Sequence, residues 1–427
     1  MWEDERKKTV IRNVIIGVLL VAVLYGLLTA FRQVKARIAE EDKQLSSIKA
    51  TQQQEQNDAR QENLAAIQKA YETDMETVAQ YMPGIVCWGD SLTSGSAGNS
   101  DYPYTLQKYI NTYLCDIYDF RYSVPNAEEY TLTLLSRSDF KVSIPVVNMG
   151  AGQENTATVL GRAGVAPYVV ANDFTIPAET ERVPVSITAP DGEAVTPLTA
   201  GTTEMNPVTI AGVEGTMTLE ANGKNLSYFF ERLTQGQAVS VSKGTEIMTA
   251  CSSEYQDYIH IVWLGTYDGY RKAGELVNDV KLLLQRQTQN TDRFLVLGPC
   301  TYGGSWRTNG TVNLEDIDSA MLQAFGNRYI NIRKYLIEDG LSDAGLTPTK
   351  EDSADMLRGQ VPHSFRSNAG GADLNGQAYT LIGKLVYERM NRLGYFDEIR
   401  SELGIDKATE EILKNNPGYF ETMLQAS

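Results

Sequence analysis

Ser91 stands in the run Gly89-Asp90-Ser91-Leu92-Thr93-Ser94-Gly95, directly after the apolar residues Ile85-Val86-Cys87-Trp88. A short apolar run that ends in a glycine turn reads as a buried strand, and open α/β sheets build their sites at the carboxyl ends of such strands. A serine there has two readings. Its hydroxyl attacks an electrophile, with the following helix N-terminus favouring the developing negative charge, or Asp90 and Ser91 simply cap that helix. Attack requires a base titrating near neutrality. Imidazole, at about 6.5, meets that need where carboxylate, at about 3.9, is much weaker. The chain has two histidines. His260 lies mid-run in Tyr258-Ile259-His260-Ile261-Val262-Trp263 and reads as a core residue. His363, in Val361-Pro362-His363-Ser364, reads either as an exposed loop residue or as a relocated base.

A site of this kind needs a sheet to hold it. After Gly84, apolar runs at 85–88, 145–148, 259–264 and 294–297 alternate with stretches of helical spacing at 104–118, 273–288 and 376–393. Continuous apolar runs suit a parallel sheet covered on both faces, so the alternation predicts a doubly wound α/β fold. Between 165 and 253 the composition changes. Six of the fourteen prolines lie here, with period-two segments at 185–188, 208–210, 216–219 and 239–241 and turn signals at Asp191-Gly192 and Asn222-Gly223. These features predict a small all-β insertion, either a ligand-binding accessory or a plain structural elaboration.

Ahead of the sheet, Val14 to Phe31 holds no charged residue. Eighteen helical residues span roughly 27 Å, close to the hydrocarbon thickness of a bilayer. The run lacks a polar face and a small-x-small cleavage site, which favours an uncleaved anchor. Four basic residues flank it on each side, so charge does not orient it. With nearly all the chain following the span, the expected topology is residues 1–13 inside, 14–31 crossing and the remainder extracytoplasmic. Residues 32–82 are rich in Gln, Glu, Lys, Arg and Ala, with apolar residues such as Ile38, Leu45 and Ile48 at coiled-coil intervals. They read as a helical stalk, a solvated spacer or a route to a homo-oligomer, ended by Pro83-Gly84. Residues 397–427 read as a helical tail.

Composition removes several classes. In 427 residues, 54 acidic against 38 basic side chains give a formal charge of −16, which repels phosphate backbones and excludes nucleic acid as a natural partner. Cys87, Cys115, Cys251 and Cys300 have no CxxC spacing, and with two histidines they point to no metal site. No cofactor signature is present.

Four blocks in order carry a family resemblance. They are Gly89-Asp90-Ser91-Leu92, Asn148-Met149-Gly150-Ala151-Gly152-Gln153-Glu154-Asn155-Thr156, Gly265-Thr266-Tyr267-Asp268, and Ala372-Asp373-Leu374-Asn375-Gly376-Gln377-Ala378-Tyr379. On them the chain resembles the SGNH, or GDSL, hydrolases over about 84–164 and 254–396. The resemblance implies a flavodoxin-like sheet and hydrolysis of esters, often acyl groups on carbohydrates or lipids. It also exposes departures. The family's oxyanion-hole glycine falls on Gln153, its asparagine on Tyr267 and its catalytic histidine on Asp373. Its aspartate falls on Gly370, or on Asn368 with two residues inserted. Ser91 alone survives. The expected protein is therefore a membrane-anchored SGNH-like protein, impaired in hydrolysis and acting on a glycan or acylated ligand by binding or in assembly. The alternative is an active esterase using Ser91 with a non-standard base. Trp306, after Gly303-Gly304-Ser305, is a candidate site wall.

Protease added to intact cells should remove the part beyond residue 32. Full protection would place it in the cytosol.

Overall fold

The computed structural model describes residues 2–95, 101–110, 144–199, 204–223, 225–266, 268, 270, 272–289, 291–300, 312–367 and 373–402. The chain divides into two compact units, 1–72 and 73–427. Helix α1 (Trp2–Tyr81) runs unbroken through anchor and stalk positions, and Pro83-Gly84 follows its end. Along 14–31 its apolar side chains are exposed. Within that run the Thr29 hydroxyl donates back to the carbonyls of Tyr25 and Gly26 at 3.0 and 2.9 Å. This long apolar N-terminal helix is compatible with a single-pass membrane anchor.

In the second unit five strands form a wholly parallel sheet: β1 (Ile85–Gly89), β2 (Val146–Gly150), β12 (Ile259–Trp263), β13 (Phe294–Leu297) and β14 (Tyr329–Ile330). Their spatial order is β14-β13-β12-β1-β2. Counted among themselves in chain order, the strands run 2-1-3-4-5, and the direction of winding reverses between β1 and β12. Alternate residues face opposite sides. Val86, Trp88, Met149, Val262 and Val296 enter one core with helices α4 (Thr156–Arg162), α5 (Ala273–Leu284) and α6 (Leu314–Phe325). On the other side Trp263 meets Tyr102 edge to face at 5.6 Å, the first residue of α3 (Tyr102–Ile110). Helix α3 packs on α8 (Gly376–Arg392), where Gly383 leaves room for Thr105. Helices thus cover both faces.

The helices follow from their sequences. In α6, Asn313 accepts from the Asp316 N–H at 2.8 Å, Glu315 and Asp316 occupy the first turn, and Ile317, Met321 and Phe325 fall on one buried face. Asn375 caps α8 in the same way. The two-residue strand β14 was beyond the reach of periodicity.

From Tyr168 to Met248 the described strands pair only antiparallel. They are β3 (Tyr168–Val170), β4 (Phe174–Ile176), β5 (Val183–Val185), β6 (Ile187–Thr188), β7 (Val208–Ile210), β8 (Val213–Asn222), β9 (Asn225–Arg232), β10 (Val239–Val241) and β11 (Glu246–Met248). Seven form a sheet in the order β5-β9-β8-β7-β11-β3-β6, and β10 pairs with β4. Tyr168, Phe230, Met217, Ile247 and neighbours give this part a hydrophobic core of its own. The tail beyond Glu402 lies outside the described residues.

A Cβ built on Gly150 would stand 2.1 Å from the Ser94 backbone nitrogen, whereas one on Gly274 meets nothing within 4 Å. Gly150→Ala should therefore destabilise the protein by at least about 2 kcal/mol in denaturant titrations. Gly274→Ala, inside α5, should be neutral or slightly stabilising. Equal effects would contradict the close approach.

Candidate active site

The β1 end and the turn after it are built around two missing side chains. A Cβ on Gly89 would collide with the Thr93 hydroxyl at 2.2 Å and the Trp263 carbonyl at 2.6 Å. With Gly150 also bare, the single-turn helix α2 (Ser91–Ser94) lies directly on the ends of β1 and β2. The Ala151 N–H donates to the Gly89 carbonyl at 3.1 Å, locking the two loops together. Asp90 is the cap. Its carboxylate accepts from the Leu92 N–H at 2.9 Å, and its carbonyl accepts from Thr93 and Ser94. Ser91 is half-buried as the first helical residue. Asp90 is thus the cap, and Ser91 stands at the strand's carboxyl end. One helical turn offers little of the dipole that a longer helix would bring.

Asp90 is almost fully buried. Burial pushes its carboxyl up to about 7; the Leu92 N–H and the Thr266 hydroxyl oppose that, and the carboxyls of Asp268 and Glu154 add to it. These neighbours come from the other two loops. Glu154 forms a buried ion pair with Arg162 at 2.9 Å, and Arg162 also donates to the Met149 carbonyl at 2.8 Å. Asp268 accepts from the Thr156 hydroxyl at 2.5 Å and its N–H at 3.1 Å. Burial raises the Asp268 carboxyl, against those two bonds.

The residues expected from sequence are placed as follows. Gln153 is exposed, three residues beyond β2, and holds a left-handed φ of 63°. That conformation favours glycine, the residue of the resembled family at this position. Ser91 and Gln153 thus occupy adjacent loops at one sheet edge, since Gly89 and Gly150 are register partners. Tyr267, Gly370, Asn368 and Trp306 lie outside the described residues. Its neighbour Thr266 is described, and brings the β12 loop to Asp90.

Asp373 and His363 share a second structure. Both are exposed. The Asp373 carbonyl accepts from the Ser367 N–H at 3.0 Å, the Asn375 N–H donates to Phe365 at 2.9 Å, and the Asn375 side chain donates to Ser364 at 2.7 Å. The short turn His363–Phe365 is therefore tied to the segment entering α8. Asp352 fixes it from beneath, accepting from the N–H and hydroxyl of Ser364, each at 2.8 Å, and from those of Thr349. Burial would raise this carboxyl, but the four donors outweigh it and hold it down at about 2. His260 is a core residue. Its Nε2–H donates to the Tyr255 carbonyl at 3.1 Å, and burial lowers it to about 4.

Sequence reasoning missed the Glu154–Arg162 pair, the Thr156–Asp268 link and the Asp352 clamp. Only the last had a signal, the capping pattern Thr349-Lys350-Glu351-Asp352. Among the described residues no cluster of three or more His, Cys, Asp or Glu side chains is arranged to hold a metal. Comparison with protein-family models, curated proteins and solved structures finds no match.

A carboxyl raised on folding contributes stability that is full below its unfolded value, near 3.8, and lost as pH rises through about 7. Asp90→Asn keeps a capping acceptor and removes the buried charge. It should be more stable than the parent at pH 8, with the gain vanishing near pH 4 in thermal melts. A pH-independent difference would contradict the buried position of Asp90.

Proposed function

We propose that the chain is a membrane-anchored, extracytoplasmic protein of SGNH-hydrolase type. In it a glycan or acylated ligand is held at the Ser91 site, with ester hydrolysis impaired or lost, so that the protein acts by binding or in assembly. One observation carries the proposal. Ser91 stands at the carboxyl end of β1, beside the 2-1-3-4-5 reversal point, with Gln153 in the glycine-like conformation on the next loop. That order is the flavodoxin-like one, whose ligands lie where the winding reverses. The β-rich part between Tyr168 and Met248 is an elaboration of this domain.

The chemistry supports impairment. Asp373 is exposed, so no desolvated carboxyl stands at the position of the family's base. Gln153 retains a backbone N–H for an oxyanion, but an exposed carboxylate in place of imidazole is a weak base for a serine hydroxyl. Asp90 is committed to its own helix cap.

A second reading, an active esterase with His363 as base, has one observation in its favour. The His363 turn is hydrogen-bonded to the segment that carries Asp373, so the backbone bearing this imidazole is tied to the position of the resembled family's base.

Turnover of p-nitrophenyl acetate separates the two. The proposal predicts none above the buffer rate. If turnover occurs, the second reading requires Ser91→Ala and His363→Ala each to abolish it. Robust hydrolysis by the parent protein would refute impairment outright.

A further inference from the structure

The apolar stripe on the stalk carries a pattern of its own. Phe31, Val34, Ile38, Leu45 and Ile48 lie along α1 and are 53–68% exposed. Written as heptads, Phe31, Ile38 and Leu45 occupy position a, Val34 and Ile48 occupy d, and Glu41 takes the d position between them. Leu20, Leu24 and Leu27 carry the same phase back into the apolar span. In this frame Arg37 is a g residue and Asp42 the e residue of the next heptad. A parallel interface brings those two positions of different chains together, and here they bear opposite charges. Among the described residues neither forms an ion pair within its own chain.

We propose that this stripe packs in parallel and in register against the same stripe of a second copy of the chain. The parallel sense rests on the anchor half of the proposed function, since spans inserted alike direct their stalks alike. The seam is short: Phe31 to Ile48 covers roughly 27 Å, and beyond it the phase lands on Gln52 and Glu55. Glu41 also faces its own counterpart. Free in solution such a pair would be marginal, but confinement of both anchors to one membrane supplies the effective concentration that it lacks.

The test uses full-length protein in its membranes, with the unmodified chain as background for its own cysteines. Under mild oxidation, Ile48→Cys should give a cross-linked dimer, and Lys43→Cys, at the outward f position, should not. Arg37→Glu should lower the Ile48→Cys cross-link several-fold, and adding Asp42→Lys should restore it. Glu41→Leu, which completes the seam, should raise it. Equal cross-linking at 43 and 48, or none at 48, would overturn the proposal. Ile38→Asp with Leu45→Asp should lose the cross-link while staying in the membrane pellet. Release of that variant from the pellet would instead count against the anchor, and against the parallel sense that depends on it.

Discussion

Everything at the Ser91 site depends on backbone lying against backbone where Gly150 and Gly89 carry no side chain. That approach seats α2 on the sheet, sets Asp90 beneath its own helix and leaves Ser91 at the surface of the turn. It also brings three carboxyl groups close together, Asp90 and Glu154 buried and Asp268 half-buried, and each is handled differently. Glu154 is neutralised by Arg162, Asp268 is held by Thr156, and Asp90 relieves its burial by taking up a proton at about 7. A loop with a Cβ at either glycine would have to lift away and dismantle the set.

A second constraint ties the β-rich part to the sheet. The Arg286 guanidinium donates to the carbonyls of Ala163, Ser252, Cys251 and Glu254, so it grips the chain on both sides of the antiparallel strands. It lies over Trp88, 5.0 Å from the ring, with Arg162 also near that ring at 5.5 Å. Burial lowers Arg286 to about 10, and the nearby Arg162 charge acts in the same direction. Trp88, in β1, thus links the Ser91 strand to the clasp.

The sequence made the sheet legible because four of its strands are largely apolar runs, broken only by His260 in β12 and Asn148 in β2, and the helices because their buried faces recur at three and four. The Asn222-Gly223 turn and the pairing that flanks it were legible for the same kind of reason, a local one. What escaped was non-local. Nothing in the spacing shows that Glu154 reaches Arg162 or that Asp352 reaches across to Ser364, since these pairings exist only once loops have been folded together. The site was half legible. Ser91 and Gln153 were placed by the strands before them, whereas His363 and Asp373 sit on a loop pair whose bonding to each other no periodicity encodes.

The central proposal is that Ser91 belongs to a binding site and not to a working hydrolase. Incubation of the folded protein with a fluorophosphonate near neutral pH, read by intact-mass and peptide spectrometry, tests it directly. The account predicts no adduct on Ser91. A stoichiometric adduct there would show an activated serine and contradict it.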